Sequence, residues 1–279
     1  MPEGDAFSWA AEAIGGAGSL LFTAGAGMGV DSGLPDFRGP EGFWRAYPAF
    51  ARLGIRFEEA ANPRWFATDP DLAWGFYGHR LELYRRTVPH AGFGTLARWA
   101  ARVPSGAFVF TSNVDGQFQK AGFTEDRVME CHGSIHFLQC VAECHRGIFP
   151  AAPFRVEVDH GTGRAQEPFP SCPTCGGLAR PNVLMFGDWG WIGTRSDVQE
   201  SRLDEWRSEA KAPLVVVECG AGLAVPTVRS FGERAAALNR ATLIRINPRD
   251  LEGGYPGGTI AIRSNARPAL ERIDALIPG

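Results

Sequence analysis

The chain has 279 residues, of which 44% are hydrophobic, so it can bury one large core or a large domain with a smaller insertion. Its formal net charge is −3 and its Lys and Arg residues form no clustered tract, which argues against nucleic acid as a direct partner. No apolar stretch approaches the length of a membrane span and the first residues are acidic, so we expect a cytoplasmic protein with no membrane partner.

The first half of the chain predicts short buried strands separated by helices. Helical spacing of apolar residues predicts helices over 6–14 and 90–102. Short apolar runs predict strands over 20–23 and 107–111. The segment 42–88 is rich in Trp, Phe and Tyr and has helical spacing, so we expect it to form a helical cap.

The second half continues this alternation of strands and helices. The run over 128–133 predicts a third strand that runs into the presumed ligand site. The runs over 214–217 and 242–246 are short and β-branched, as parallel strands covered on both faces should be. Alternating strands and helices predict an α/β fold with a doubly wound parallel sheet.

A glycine-rich loop follows the first predicted strand. Gly25, Ala26 and Gly27 would leave backbone N–H groups uncovered and let a pyrophosphate approach closely, as dinucleotide-binding folds require. Such a cluster alone could equally be a tight turn between a strand and a helix. The continuation over 32–38 is more specific, because the sequence SGLPDFR describes a shaped loop rather than a helix start.

Two close cysteine pairs indicate a metal site. Cys140 and Cys144 are separated by three residues, and Cys172 and Cys175 by two, at spacings that a tetrahedral zinc site can use. Four cysteine ligands favour structural over catalytic zinc, with free or redox-active thiols as the alternative. We expect His145 to be a bystander or a substitute ligand. The remaining cysteines, Cys131 and Cys219, lie in or beside apolar strands and are expected to be small buried hydrophobes.

Together with motifs further along, the glycine-rich loop resembles the signature of the sirtuin (Sir2) family of NAD-dependent protein deacylases. The later motifs follow in the order of the family: TSNVDG at 111–116, QKAG at 119–122, CHGS at 131–134, RPNVLMFGD at 180–188, GAGLAV at 220–225 and Ile246-Asn247. The resemblance implies a Rossmann-like domain that is discontinuous in sequence, over 1–42, 88–138 and 180–279. It implies a smaller domain made of a helical insertion over 43–87 and a zinc-binding module over 139–179, with NAD and zinc as cofactors.

The resemblance implies that NAD loses nicotinamide and that the acyl group of a modified lysine is transferred to ADP-ribose. His132 is implied as the general base, which takes a proton from a ribose hydroxyl. Asn113 is implied to bind the ribose and order a water, and Asp115 to hold the nicotinamide carboxamide together with the Val114 backbone. The implied cofactor contacts are Gly25, Ala26, Gly27, Asp36, Phe37, Arg38, Ser112, Asn113, Val114, Asp115, Gly220, Ala221, Gly222 and Asn247.

Some of these positions have an alternative interpretation. Asn247 can place its amide near a ribose, or it can form a turn before Pro248. Asp36 and Arg38 taken in isolation would be a loop salt bridge. The segment 264–267 is a further candidate for the adenine side of the cofactor.

The partners implied by the resemblance are acyl-lysine proteins or peptides, bound as an added strand between two segments of the chain. The implied substrate contacts are Tyr77, Arg80, Val183, Phe186, Gly187 and Val225. Tyr77 and Arg80 stand three residues apart and share a helix face, so they can converge on one anion. In sirtuins that prefer succinyl, malonyl or glutaryl lysine, Tyr and Arg at this spacing bind the acyl carboxylate. The alternative is a packed Tyr beside a surface Arg.

Several positions depart from the family pattern. Gly29, Ser112, the pair Gln117-Phe118 and the pair Ala221-Gly222 stand where the family usually has other, mostly polar, residues. Each lost contact would weaken cofactor binding by about 1 kcal/mol. Two other hypotheses therefore stand beside deacylation: an NAD-consuming ADP-ribosyltransferase or NAD glycohydrolase, and a noncatalytic protein that binds NAD or ADP-ribose.

Overall fold

A parallel sheet of six strands forms the centre of the computed structural model, which describes residues 3–36, 39–254 and 258–278. The strands of the described chain are β1 (Ser19–Ala24), β2 (Ala107–Thr111), β3 (Val128–Glu130), β4 (Gly133–Cys140), β5 (Ile148–Pro150), β6 (Glu157–Asp159), β7 (Arg164–Gln166), β8 (Ala179–Val183), β9 (Leu214–Cys219), β10 (Thr242–Ile246) and β11 (Thr259–Ile262). The order in the central sheet is β11-β10-β9-β1-β2-β3, with every pairing parallel.

Helices cover both faces of this sheet. The α-helices of the described chain are α1 (Glu3–Gly15), α2 (Gly39–Ala46), α3 (Pro48–Arg52), α4 (Phe57–Ala60), α5 (Trp65–Thr68), α6 (Pro70–Arg86), α7 (Ala91–Arg102), α8 (Gln117–Lys120), α9 (Thr194–Glu209), α10 (Thr227–Asn239) and α11 (Ala266–Asp274). Phe22 and Val217 pack towards α1, α7 and α11, whereas Leu21 and Val216 pack towards α9 and α10. Because side chains alternate along each strand, both faces are apolar, and the doubly wound α/β fold is confirmed.

A second hydrophobic core lies beside the sheet. It is formed by α2–α6 and by a small antiparallel sheet of β5, β4 and β8. Aromatic rings fill it: Phe43 stacks on Tyr47 at 5.2 Å between centroids and meets Phe76 edge-on at 5.8 Å. The helical cap expected over 42–88 is therefore present, while the domain boundaries at 43–87 and 139–179 stay a prediction.

One predicted strand is shorter than expected. The third strand ends at Glu130 rather than at residue 133, and the chain then turns into β4 of the other sheet. Gly133 permits the turn, because its φ is +74° and a side chain there would collide with the carbonyl oxygen of Asn182. The turn places Cys131 and His132 between the two sheets. No helix within the described ranges is long and apolar enough to cross a membrane.

Candidate active site

The candidate site lies where the order of the central sheet reverses. The chain passes from β1 to β2 on one side, and β9 lies on the other side of β1. Ligands in such sheets bind at the carboxyl ends of the strands at this switch point. Two glycine-rich loops occupy it: Gly25–Gly27 after β1 and 220–222 after β9.

The two glycine-rich loops are in direct contact. The N–H of Gly25 donates to the Cys219 carbonyl at 3.0 Å, and the N–H of Gly27 donates to the Gly220 carbonyl at 3.1 Å. A Cβ on Gly27 would lie 2.7 Å from the Cα of Gly220, and one on Gly220, whose φ is +62°, would collide with the Gly27 backbone. The glycines therefore allow the two loops to approach each other more closely than any side chain would permit. The N–H groups of Gly25 and Gly27 are used in this contact, so the expectation that they stay uncovered is wrong. We call the two contacting loops the cradle.

The loop after β2 brings Asn113 to the first glycine-rich loop. Its Nδ2 donates to the Gly25 carbonyl at 3.0 Å, and its backbone N–H donates to Thr111 Oγ1 at 3.0 Å. Ser112 is half-buried and its N–H donates to the Ala24 carbonyl at 3.2 Å. The structure thus brings Ser112 and Asn113 together with Gly25–Gly27, and Asn113 uses its amide to link the ends of β1 and β2.

Asp115 is a buried carboxylate in the same loop. One oxygen accepts from the backbone N–H of Gln117 at 3.0 Å, and the Asp115 carbonyl accepts from His136 Nε2 at 2.9 Å. Burial raises the pKa of Asp115 to about 6, against the opposing effects of the Gln117 hydrogen bond and the charge of Arg80. A buried carboxyl group with a shifted pKa is a candidate functional group. Val114 beside it is buried in the second core.

His132 lies in the turn between β3 and β4. Its carbonyl accepts the N–H of Leu184 at 2.9 Å, which links the turn to the segment after β8. Burial lowers the pKa of the His132 imidazole, so the ring is neutral near pH 7. A neutral imidazole at this position can accept a proton.

The second glycine-rich loop is shaped by Asn247. This side chain is fully buried: Nδ2 donates to the Ala221 carbonyl at 2.8 Å, and Oδ1 accepts the N–H groups of Arg249 and Asp250, each at 3.0 Å. Both ends of the amide therefore bind protein, which favours the turn-forming role over direct contact with a ribose. Gly222 in the same loop is half-buried.

The loop after the first glycines is only partly described. Asp36 accepts a hydrogen bond from Arg249 Nη2 at 2.9 Å, so it forms a loop salt bridge with a residue far along the chain. Phe37 and Arg38 lie outside the described residues. The segment 264–267 forms the start of α11, where Asp31 accepts from Asn265 Nδ2 at 3.0 Å and from the Arg267 N–H at 2.8 Å.

The predicted substrate segments present an apolar surface. Val183 ends β8 and is buried, whereas Phe186 and Val225 are exposed. Gly187 has a φ of +68° and turns the chain after Phe186. A buried ion pair that was not predicted holds this turn: Arg180 donates to the two carboxylate oxygens of Asp188 at 2.6 and 2.8 Å. The sequence signal that could have predicted this pair is the Arg and the Asp at the two ends of the RPNVLMFGD motif.

Tyr77 and Arg80 both lie on the buried side of α6. The guanidinium carbon of Arg80 lies 5.1 to 5.7 Å from the ring centroids of Phe76, Tyr77 and Tyr84. Its Nε and Nη2 donate to the Tyr84 hydroxyl at 3.0 and 2.8 Å. Tyr84 was not predicted, although its place four residues after Arg80 puts the two side chains on one helix face.

The four paired cysteines form one cluster. Their sulfur atoms all lie within 4.8 Å of one another, with Cys140 and Cys175 at 3.7 Å and Cys144 and Cys172 at 3.6 Å. Zn–S bonds of about 2.3 Å in a tetrahedron place sulfurs about 3.8 Å apart, so the cluster fits structural zinc. His145 is not a member of the cluster, but its Nε2 lies 3.4 Å from Cys172 Sγ. Cys219 is buried, as expected, and Cys131 is half-buried.

The chain resembles known proteins in sequence and in structure. The Sir2 family model matches residues 25–198. NAD-dependent protein deacylase 1 of Pseudomonas aeruginosa is 31% identical over 88% of this chain and 89% of its own length. The NAD-dependent protein deacylase of Aquifex aeolicus is 29% identical over 83% of this chain and 84% of its own length. A solved structure of a Sir2 homologue in complex with NAD superposes with a TM-score of 0.68 at 25% identity, over 95% of this chain and 92% of the other.

Proposed function

The chain belongs to the Sir2 family, and we propose that it is an NAD-dependent protein-lysine deacylase whose acyl pocket prefers acidic acyl groups. The observation that carries the deacylase function is that the loops after β1, β2 and β9 meet at the switch point of the sheet, where Asn113 donates to the Gly25 carbonyl. Asp115 follows Asn113 in the loop after β2, and His132 follows β3. The active site would lie between the sheet domain and the small domain that holds zinc.

NAD would supply an activated ribose carbon, with nicotinamide as leaving group, and the acyl group would leave on ADP-ribose. The chain would hold the cofactor beside Gly25–Gly27 and 220–222, two loops that the absence of side chains allows to pack against each other at the switch point. Asn247 would shape this cradle by holding the Ala221 carbonyl rather than by touching the cofactor.

His132 would act as the general base towards a ribose hydroxyl. Its pKa is lowered by burial, so it is neutral and able to accept a proton near pH 7. The contact of its carbonyl with Leu184 keeps the turn beside the substrate segment. The base and the acyl-lysine would therefore lie on the same side of the site.

Asp115 would accept a hydrogen bond from the nicotinamide carboxamide. Its carboxylate is ionised above about pH 6 and is held by the Gln117 N–H, which leaves its second oxygen for the carboxamide. Asn113 would place the adjacent ribose and a water. The protein substrate would add as a strand between the segment after β8 and the loop at 222–225, since backbone pairing there gives affinity with little sequence selectivity.

The preference for acidic acyl groups rests on Tyr77 and Arg80. Arg80 is a buried cation among aromatic rings, where a succinyl, malonyl or glutaryl carboxylate would gain a charge-assisted bond. An acetyl group offers no carboxylate to this charge, and such a difference in a buried site gives strong discrimination. The charge of Arg80 also acts on Asp115, so the acyl pocket lies electrostatically close to the proposed nicotinamide site.

The test is mass spectrometry of purified protein with NAD and matched acetyl-, succinyl- and glutaryl-lysine peptides. We expect NAD-dependent loss of the acidic acyl groups, faster than loss of acetyl. Arg80→Met should remove the acidic preference, whereas Arg86→Met, an exposed position on the same helix, should keep it. NAD cleavage that leaves every peptide acylated would instead support ADP-ribosyl transfer or NAD hydrolysis, and binding without cleavage would support a noncatalytic role.

A further inference from the structure

We propose that Tyr84 is a specificity-determining residue, which donates its hydroxyl hydrogen to the acyl carboxylate and forms a three-point receptor with Tyr77 and Arg80. This inference rests on the proposed acidic-acyl deacylase function. It assigns Tyr84 to the selectivity of the site, because its hydroxyl accepts from the same guanidinium whose carbon lies 5.7 Å from the Tyr77 ring centroid.

The three side chains lie along one face of α6. Tyr77, Arg80 and Tyr84 occupy positions i, i+3 and i+7, and all three are buried, with 1%, 7% and 4% of their surfaces exposed. The guanidinium carbon of Arg80 lies 5.7 Å from the Tyr77 centroid and 5.3 Å from the Tyr84 centroid. Both phenol rings therefore lie next to the same cation.

The last turn of α6 is fixed, so the Tyr84 side chain has a defined position. Lys120 Nζ donates to the carbonyls of Tyr84, Arg85 and Thr87 at 2.6, 2.7 and 2.9 Å. An ammonium at the carboxyl end of a helix satisfies the exposed carbonyls and interacts favourably with the helix dipole. The pocket wall carrying Tyr84 is thus a stable element rather than a free end.

The hydroxyl hydrogens of the two phenols indicate a binding site for an anion. The Tyr84 oxygen accepts from Nε and Nη2 of Arg80, so its own hydrogen points elsewhere, and no residue in the described chain accepts it. The Tyr77 hydroxyl is buried and makes no hydrogen bond within the described ranges. A buried hydroxyl normally donates its hydrogen to a partner. Two such hydroxyl donors lie beside a guanidinium, and a carboxylate supplies several acceptor positions at once.

The guanidinium also makes Tyr84 a better donor. A phenol that accepts from a cation is polarised, and its O–H then forms a stronger hydrogen bond to an anion. An acetyl methyl group offers no acceptor to this hydrogen. Tyr84 should therefore improve the use of acidic acyl groups and have little effect on acetyl.

The experiment compares wild type, Tyr84→Phe, Tyr77→Phe and Arg80→Met in steady-state assays with succinyl- and acetyl-lysine peptides. The ratio of the two kcat/KM values is taken on one preparation, so any inactive fraction cancels. For Tyr84→Phe we expect about a tenfold loss in kcat/KM for succinyl-lysine, mostly as a higher KM, with less than about a twofold change for acetyl-lysine. Tyr47→Phe is the matched control, because that hydroxyl in the same aromatic cluster is already hydrogen-bonded to His79 Nδ1 at 3.1 Å.

The outcomes separate this inference from the function on which it rests. A wild-type enzyme with no preference for succinyl over acetyl overturns both. A preference that Arg80→Met abolishes but Tyr84→Phe leaves intact overturns the role of Tyr84 alone. An equal loss on both substrates also overturns it, since that would show a purely structural contribution of the hydroxyl.

Discussion

Replacing Asp115 with Asn should make the protein more stable and less active. The side chain is buried, and desolvation of its charged form raises its pKa from 3.8 to about 6. Asn keeps the shape and can still accept the Gln117 N–H, but it carries no charge to bury. The variant therefore removes an unfavourable buried charge while keeping the local hydrogen bond.

The size of the effect follows from the pKa. A shift from 3.8 to about 6 corresponds to about 3 kcal/mol between the two protonation states. Because the folded-state pKa is raised, the folded protein binds the proton more tightly than the unfolded chain. The stability that this group contributes is present below the unfolded pKa and is lost as the pH rises through about 6. The gain from Asp115→Asn should thus be about 3 kcal/mol near pH 8 and roughly half of that near pH 5.

Denaturant unfolding of wild type and Asp115→Asn at both pH values measures this difference directly. Asp126→Asn is the control, because that carboxylate is exposed and its pKa is lowered by its hydrogen bond to the Thr124 hydroxyl. Nicotinamide release from NAD, measured on the same preparations, should fall by at least about tenfold in Asp115→Asn, since the Asn amide cannot replace a carboxylate acceptor. A variant that is destabilised, or whose gain does not change with pH, would refute the buried-charge reasoning.

Two further predictions concern the cradle and the metal cluster. Gly220→Ala should weaken NAD binding by about tenfold or more and lower the melting temperature, because a Cβ would collide with the Gly27 backbone. NAD binding is measured by calorimetric titration. The control is Gly122→Ala, since Gly122 also has a positive φ but has open space around its Cβ position. His145→Ala should speed zinc loss to a chelator by about tenfold, because the His145 side chain donates a hydrogen bond to Cys172 Sγ. The donor is Nε2, since Nδ1 accepts the Gly147 N–H at 2.8 Å and the hydrogen of the neutral ring is therefore on Nε2. The neighbouring Arg146→Ala should lose zinc at the wild-type rate, and equal rates for both variants would contradict a role for His145.

The sequence predicted the features that depend on local pattern. The apolar runs of β1, β2, β9 and β10 were recognisable because a strand buried on both faces is a continuous apolar segment. The cysteine pairs predicted a cluster because each pair is close in sequence. The family motifs indicated which loops should carry the site, since each motif is a short run of neighbouring residues that can be recognised in the sequence.

Other elements had no comparable local signal. The strand β11 and the hairpin of β6 and β7 are short and partly exposed, so their composition does not distinguish them from loops. After β3 ends at Glu130, the chain turns at Gly133, which has a φ of +74° and packs against the carbonyl oxygen of Asn182 in β8. The ends of such elements are set by contacts between distant segments, which cannot be read from the sequence.

What the sequence by itself determined is therefore the fold class, the order of the motifs and the cysteine ligand set. The tertiary structure alone decided that Gly27 faces Gly220 across the switch point, that Asn247 uses both ends of its amide inside the protein, and that the Tyr84 hydroxyl meets Arg80. The physical reason is the range of the interactions. Apolar periodicity and ligand spacing are properties of a few neighbouring residues, whereas a hydrogen-bond partner or a steric limit depends on which distant segments the fold brings together.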